Sequence, residues 1–152
     1  MEVINYFESD NQEYWKEQIK KCDWGAGQFL YDLLNCGTFE KAVGESSKLL
    51  LLTMNNKLVS FCTYAKKDDI QPTDLSPWIG FVYTYPDFRG NRYFGKLLSE
   101  AEKLAIKENV FSIYVSTNHI GLYEKYGFEF MCMMNDMEGE PSRVYIKKLP
   151  IK

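Results

Sequence analysis

The period of apolar positions changes several times along the chain, and each change marks an element. Residues 2–7 (EVINYF) read as a short strand. Between residues 10 and 21, Tyr14, Trp15, Gln18 and Ile19 form a thin stripe at helical spacing, with Asp10 placed to cap it. A second helix is predicted from Asp23, with Phe29, Leu30, Leu33 and Leu34 on one face and Asn35-Cys36-Gly37 as its stop. Residues 48–54 (KLLLLTM) and 57–64 (KLVSFCTY) flank Asn55-Asn56, a hairpin signal because Asn tolerates the positive φ of tight turns. Residues 66–77 are polar with two prolines and read as a loop, and 78–85 (WIGFVYTY) as a buried strand stopped by Pro86-Asp87.

From about Asn91 the period becomes helical: Phe94, Leu97, Leu98, Ala101, Leu104 and Ala105 fall on one face. Residues 111–115 (FSIYV) are the next strand, and strand, helix and strand in series predict a right-handed crossover with parallel strands. Residues 119–126 read as a short helix ended by Gly127, and 128–134 with 143–148 as a final strand pair. The sum is an α/β (α+β) fold: a mixed, mostly antiparallel sheet with one central parallel pair, flanked by about four helices. No repeat, linker or low-complexity tract interrupts it, so residues 1–152 are expected to form a single domain.

Composition narrows the function classes. The formal charge is −3 and no Lys/Arg block stands out, which argues against a nucleic-acid partner. The N-terminus lacks a basic region followed by an apolar run, and no stretch approaches a membrane span, so a cytoplasmic protein without a membrane partner is expected. Cys22, Cys36, Cys62 and Cys132 form no CxxC pair and the chain has one histidine, so no metal site is expected and the cysteines are read as reduced. Aromatics reach 16%, which suits a compact core or an aromatic cleft.

The chemistry is concentrated in residues 82–98 (VYTYPDFRGNRYFGKLL). A strand enters a tight turn, Phe88-Arg89-Gly90-Asn91, and passes straight into a helix. The first amides of a helix lack partners inside it and sit at the positive end of its dipole, a geometry that suits a pyrophosphate. Arg89 and Arg92 add charge for the same anion. The bland alternative is a plain turn with two surface arginines. Gly90 to Lys96 also matches G-x-x-x-x-G-K, most of a nucleotide-binding loop. The next residue, however, is Leu97, without the hydroxyl such a loop gives to Mg²⁺, and it fits the apolar helix face instead.

Together with residues 116–128 (STNHIGLYEKYGF), this segment resembles the GNAT superfamily of N-acetyltransferases. The resemblance rests on Thr84-Tyr85-Pro86-Asp87-Phe88-Arg89-Gly90 and on Leu122-Tyr123-Glu124-Lys125-Tyr126-Gly127-Phe128. It covers residues 78–128 by motif and the remainder by topology. In the family's Q/R-x-x-G-x-G/A loop, Arg89 matches, whereas Arg92 and Phe94 stand where small residues are usual and Gly95 falls one place late.

The resemblance implies a splayed parallel pair that admits acetyl-CoA as co-substrate. The pyrophosphate would lie on Arg89, Gly90, Asn91, Arg92, Tyr93, Phe94 and Gly95, and the pantetheine arm along Val82, Tyr83 and Thr84. An amine would attack the thioester directly, a strand amide would hold the oxyanion, and Tyr123 would protonate the departing thiolate. Asn118 is the nearest match to a cofactor-binding asparagine, or else caps the short helix. His119 is read as a surface or capping residue, and Tyr126 as structural. Residues 78–85 contain no carboxylate, so the general base is unassigned among Tyr83, Tyr85 and a water chain.

The implied activity is acetyl transfer to a small-molecule or peptide amine by a monomer or homodimer. The alternative is a catalytically silent acyl-CoA-binding module of the same fold. No motif in residues 1–77 identifies the acceptor. Asp23-Trp24-Gly25-Ala26-Gly27 is read as a close packing point, with a flexible lid as the other reading.

Overall fold

The computed structural model describes residues 1–150. Seven strands form one sheet: β1 (Glu2–Asn5), β2 (Lys48–Met54), β3 (Lys57–Ala65), β4 (Trp78–Thr84), β5 (Ser112–Thr117), β6 (Glu129–Asn135) and β7 (Pro141–Lys148). Their spatial order is β1-β2-β3-β4-β5-β7-β6, and every neighbouring pair is antiparallel except β4–β5. Four α-helices flank it: α1 (Gln12–Lys20), α2 (Gly25–Cys36), α3 (Phe39–Val43) and α4 (Phe94–Lys107). This is the mixed, mostly antiparallel architecture that the periodicity predicts.

The sheet carries apolar residues on both faces, which is why β2 reads as an unbroken KLLLLTM. On one face α4 lays Phe94, Leu97, Leu98, Ala101 and Ala105 against Leu50, Leu52, Val59, Ile79, Ile113, Val115 and Tyr145. On the other, Trp15 and Ile19 of α1 and Leu30 and Leu33 of α2 pack on Leu49, Leu51, Phe61 and Ala65. The remaining part of that second face is covered by the β3–β4 loop, where Ile70 packs on Trp78 and Val144.

Five details differ from the periodicity. The strand expected over residues 2–7 stops at Asn5, and Tyr6–Glu8 coil as a 3-10 turn. The chain contains α3, a five-residue helix too short to show a stripe, in which Phe39 and Val43 point inward. Residues 119–126 are not a helix; only Tyr123–Tyr126 coil, as a single 3-10 turn, because Gly121 and Gly127 both take positive φ. The N-cap of α1 is Asn11 rather than Asp10, and it makes no side-chain capping bond. Helix α4 begins at Phe94, because Arg92 has φ +54° and breaks the helical path behind it.

Candidate active site

The parallel pair is short. Strands β4 and β5 align only at Trp78↔Tyr114 and Ile79↔Val115, although β4 runs on to Thr84 and β5 to Thr117. The cause lies in the pairing with β3. Thr63 faces Gly80 and Phe61 faces Tyr83, so three steps on β4 match two on β3. This one-residue bulge at Phe81–Val82, with Phe81 at φ +49°, bends β4 away from β5 just past Ile79. Anchors hold the bent half against α1 and α2: Tyr83 Oη donates to Asp23 Oδ1 at 2.6 Å, Tyr85 Oη to the Gln18 carbonyl at 2.6 Å, and Trp24 stacks on Tyr83. An opening results, lined on one side by strand edge without a partner.

Both phenols are therefore spoken for. Burial raises the pKa of each, and for Tyr83 the bond to Asp23 adds to the rise, so neither is a free base at neutral pH. The Asp23–Gly27 segment is a packing point: a Cβ on Gly27 would collide with Cys22 Sγ.

At one end of the opening lies the 89–95 turn. Gly90 has φ +87°, and Arg92, also left-handed in φ, is followed by Tyr93 in the right-handed region. Such a change of hand turns successive N–H groups to one side and makes an anion-binding concavity. The amides of Gly95 and Lys96 close the first turn onto Arg92 and Tyr93 carbonyls, while those of Gly90, Asn91, Arg92, Tyr93 and Phe94 donate to no backbone acceptor among the described residues. Arg92 is exposed. Arg89 lies across the turn, with Nε donating to the Thr84 carbonyl at 2.8 Å and the guanidinium over the Tyr83 ring, so it braces loop to strand. Phe94 points inward, 7% exposed, and Gly95 faces Tyr126. Of the two bulky departures from the family pattern, Phe94 is thus in the core and Arg92 on the surface.

Tyr123 belongs to the core on the α4 face of the sheet. Its ring is edge-to-face with Phe94 at 5.7 Å and with Phe128 at 5.8 Å. Glu124 ties the turn down, accepting from the Gly121 amide at 3.0 Å and from Tyr145 Oη at 3.4 Å, and Gly127 closes it at φ +93°. Burial raises the Tyr123 pKa, with Cys62, Asp68 and Tyr126 adding to it, and no hydrogen bond contributes. The phenol is held protonated, as a proton donor must be. Asn118 and His119 are exposed between β5 and this turn; the cap of the turn is Leu122, so Asn118 does not cap it.

The structure adds one group of residues that carry no sequence motif. A Cβ placed on Gly80 would overlap Asp68 Oδ1 and come 3.0 Å from Thr63 Oγ1, so these two side chains converge over the first residue of the opening. Asp68 is fixed by its neighbours: the Lys67 amide donates to the Val43 carbonyl, Gln71 Nε2 to the Asp68 carbonyl at 2.8 Å, and the Met137 amide to the Asp69 carbonyl at 2.8 Å. Burial pushes the Asp68 carboxyl up to about 7, and Asp69 beside it adds to the rise. Asp69 is raised by burial as well, opposed by a hydrogen bond from Ser116, whose hydroxyl also meets Ser142 at 2.7 Å.

Comparison with known proteins agrees with this geometry. The family model described as Acetyltransferase (GNAT) family matches residues 4–128. The chain belongs to the GNAT acetyltransferase family. No curated protein sequence matches it. Among solved structures it is similar to an aminoglycoside 6'-acetyltransferase type Ii, with a TM-score of 0.73 and 16% identity over 100% of this chain and 99% of that one. An aminoglycoside 6'-N-acetyltransferase from Enterococcus faecium gives 0.70 and 13%, over 100% and 99%. A GNAT family acetyltransferase from Elizabethkingia anophelis, solved with acetyl-CoA bound, gives 0.66 and 13%, over 97% of each chain. At these identities the likeness is one of fold. Among the described residues, no helix is long and apolar enough to cross a membrane.

Proposed function

We propose that the protein is an acetyl-CoA-dependent N-acetyltransferase acting on a small-molecule or peptide amine, with residues 1–152 working as one domain. One observation carries the reading: a strand edge without a partner, opened by the Phe81–Val82 bulge, leads to a turn with five unpaired amides. Neighbours solved with coenzyme A or acetyl-CoA bound support it, as do three neighbours named as aminoglycoside acetyltransferases.

Bound there, the thioester supplies an activated acetyl carbon and a good leaving group. The Gly90 to Phe94 amides and Arg92 hold the diphosphate, with Arg89 bracing them and Gly95 giving the helix a bare first turn. Val82, Tyr83 and Thr84 offer main-chain groups to the extended arm, and an amide of the bent strand faces the carbonyl oxygen, where negative charge develops. Tyr123 donates its proton to the thiolate sulfur. Burial keeps this phenol protonated at neutral pH, so a proton is in place for the sulfur as negative charge develops there on C–S cleavage. Asn118, exposed directly after β5, is assigned to the same arm.

Calorimetric titration with acetyl-CoA tests the donor site, and thiol release on adding a panel of primary amines tests the reaction. Saturable heat and amine-dependent release are expected. No heat at millimolar acetyl-CoA would overturn the proposal.

A further inference from the structure

We infer that the floor of the opening above Gly80 is the seat of the acceptor's ammonium group, and that Asp68 takes its proton. The inference rests on the acetyl-transfer reading and adds to it a substrate class, amines that arrive as cations, and a base.

Three independent features meet at this point. First, Gly80 is the residue after the last β4–β5 pair, and its missing side chain is the space that the Asp68 carboxylate enters. Second, Thr63 Oγ1 is fully buried, has no hydrogen-bond partner, and faces the same space. A buried hydroxyl without a partner is costly unless a ligand or water completes it, and an ammonium group brings three donors. Third, no Lys or Arg forms an ion pair with Asp68 among the described residues. A carboxylate buried without a cation attracts one.

The surroundings fit the same ligand. Asp68 and Thr63 approach from the face covered by the helices α1 and α2 and the β3–β4 loop, whereas Tyr123 belongs to the core on the α4 face. Base and acid thus stand on opposite faces of the sheet, with the opening between them. Asp69 and Ser116 extend the polar wall along β5, and the exposed Phe29 ring, stacked on Phe81, supplies an apolar wall on the α2 side. The titratable groups around Asp68 are Asp69 on its own loop, Asp136 on the β6–β7 turn beyond Asp69, and Tyr123 with Cys62 and Tyr126 across the opening. Burial, with Asp69 adding to it, holds the carboxyl of Asp68 above its ordinary range, nearer to neutrality, where a base works best.

The reaction then balances. The ammonium gives one proton to Asp68, and the free amine forms the N–C bond to the acetyl carbon as the C–S bond breaks. Tyr123 protonates the sulfur, and the second nitrogen proton restores the phenol. Asp68 returns its proton to solvent, so one amide, one thiol and one proton are formed per turnover.

The test compares wild type with Asp68→Asn and Asp68→Glu by thiol release between pH 5.5 and 9. Spermidine, kanamycin and a lysine peptide serve as strongly basic probes, and an acyl hydrazide as a weakly basic one. Asp68→Asn should lower kcat/KM for the basic probes by about 100-fold or more and spare the hydrazide, which arrives uncharged. It should also remove the rise in rate through pH 7, leave acetyl-CoA affinity by calorimetry unchanged, and be partly rescued by Asp68→Glu. A basic probe turned over by Asp68→Asn within threefold of wild type, with the rise intact, overturns the role of Asp68 and leaves acetyl transfer standing. Wild type that binds acetyl-CoA but acetylates none of the probes overturns both readings.

Discussion

The two sides of the β4–β5 opening are built differently. The proposed donor side is made from one continuous stretch, residues 82–98, where strand, turn and helix follow each other and all the unpaired amides assigned to the anion lie within five residues. The inferred acceptor side is assembled from Thr63 on β3, Asp68 and Asp69 on the following loop, Gly80 on β4 and Ser116 on β5. A pocket of the first kind depends on local backbone conformation and survives large changes elsewhere in the chain. One of the second kind depends on how loops pack, and can be re-tailored to new substrates without touching the donor turn.

That contrast can be broken experimentally. Beside Asp68→Asn, the largest effect expected is from Tyr123→Phe, which should cut kcat by about 100-fold while leaving the acetyl-CoA dissociation constant within about twofold, because the edge-to-face packing with Phe94 and Phe128 is kept. Stopped-flow turnover with calorimetry on the same protein checks both halves. Gly80→Ala should displace Asp68 and fill the floor, lowering kcat/KM for basic amines by about 30-fold with donor affinity intact. Loss of donor binding instead would show that the two sides are not separable.

Arg92→Ala should act on the opposite side only. It should weaken acetyl-CoA by about fivefold in low salt and less in 0.5 M salt, since the guanidinium is exposed and screened. The smallest effect is on stability. The folded-state pKa of Asp68, about 7, lies above the ordinary aspartate value of 3.8, so the buried carboxylate costs stability as pH rises through that window. Wild type and Asp68→Asn should melt together near pH 4, and the variant should melt higher by roughly 3–8 °C at pH 8 in differential scanning calorimetry.

The difference between the sides also explains what the sequence reveals. The 84–90 and 122–128 segments are legible because their roles are met by neighbours in the chain: Gly127 supplies a left-handed cap, Glu124 ties down its own turn, and the helix start supplies free amides. The apolar periods likewise expose the hairpin, the crossover and the face of α4. Asp68 is invisible by the same logic. It sits in a polar, proline-bearing stretch where an aspartate is ordinary, and only the pairing of Thr63 with Gly80 brings its carboxylate to the opening. Arg92 and Phe94 look like departures from a small-residue loop. In three dimensions Phe94 belongs to the core beneath Tyr123, and Arg92 takes a left-handed φ more usual for glycine. The missed α3 is a matter of length, since five residues cannot display a period.

The extra residue in β4 has a consequence for how the activity could be lost. Thr63 and Phe61 point to one side of β3, and Gly80 and Tyr83 meet them despite the additional step. Excising Val82 would therefore leave both ends of the strand in phase, with Tyr83 still reaching Asp23. The strand would simply straighten and zip against β5. A single codon's deletion could thus yield a well-folded sheet with its cleft sewn shut, a silent relative separated from the enzyme by one amino acid rather than by gradual decay.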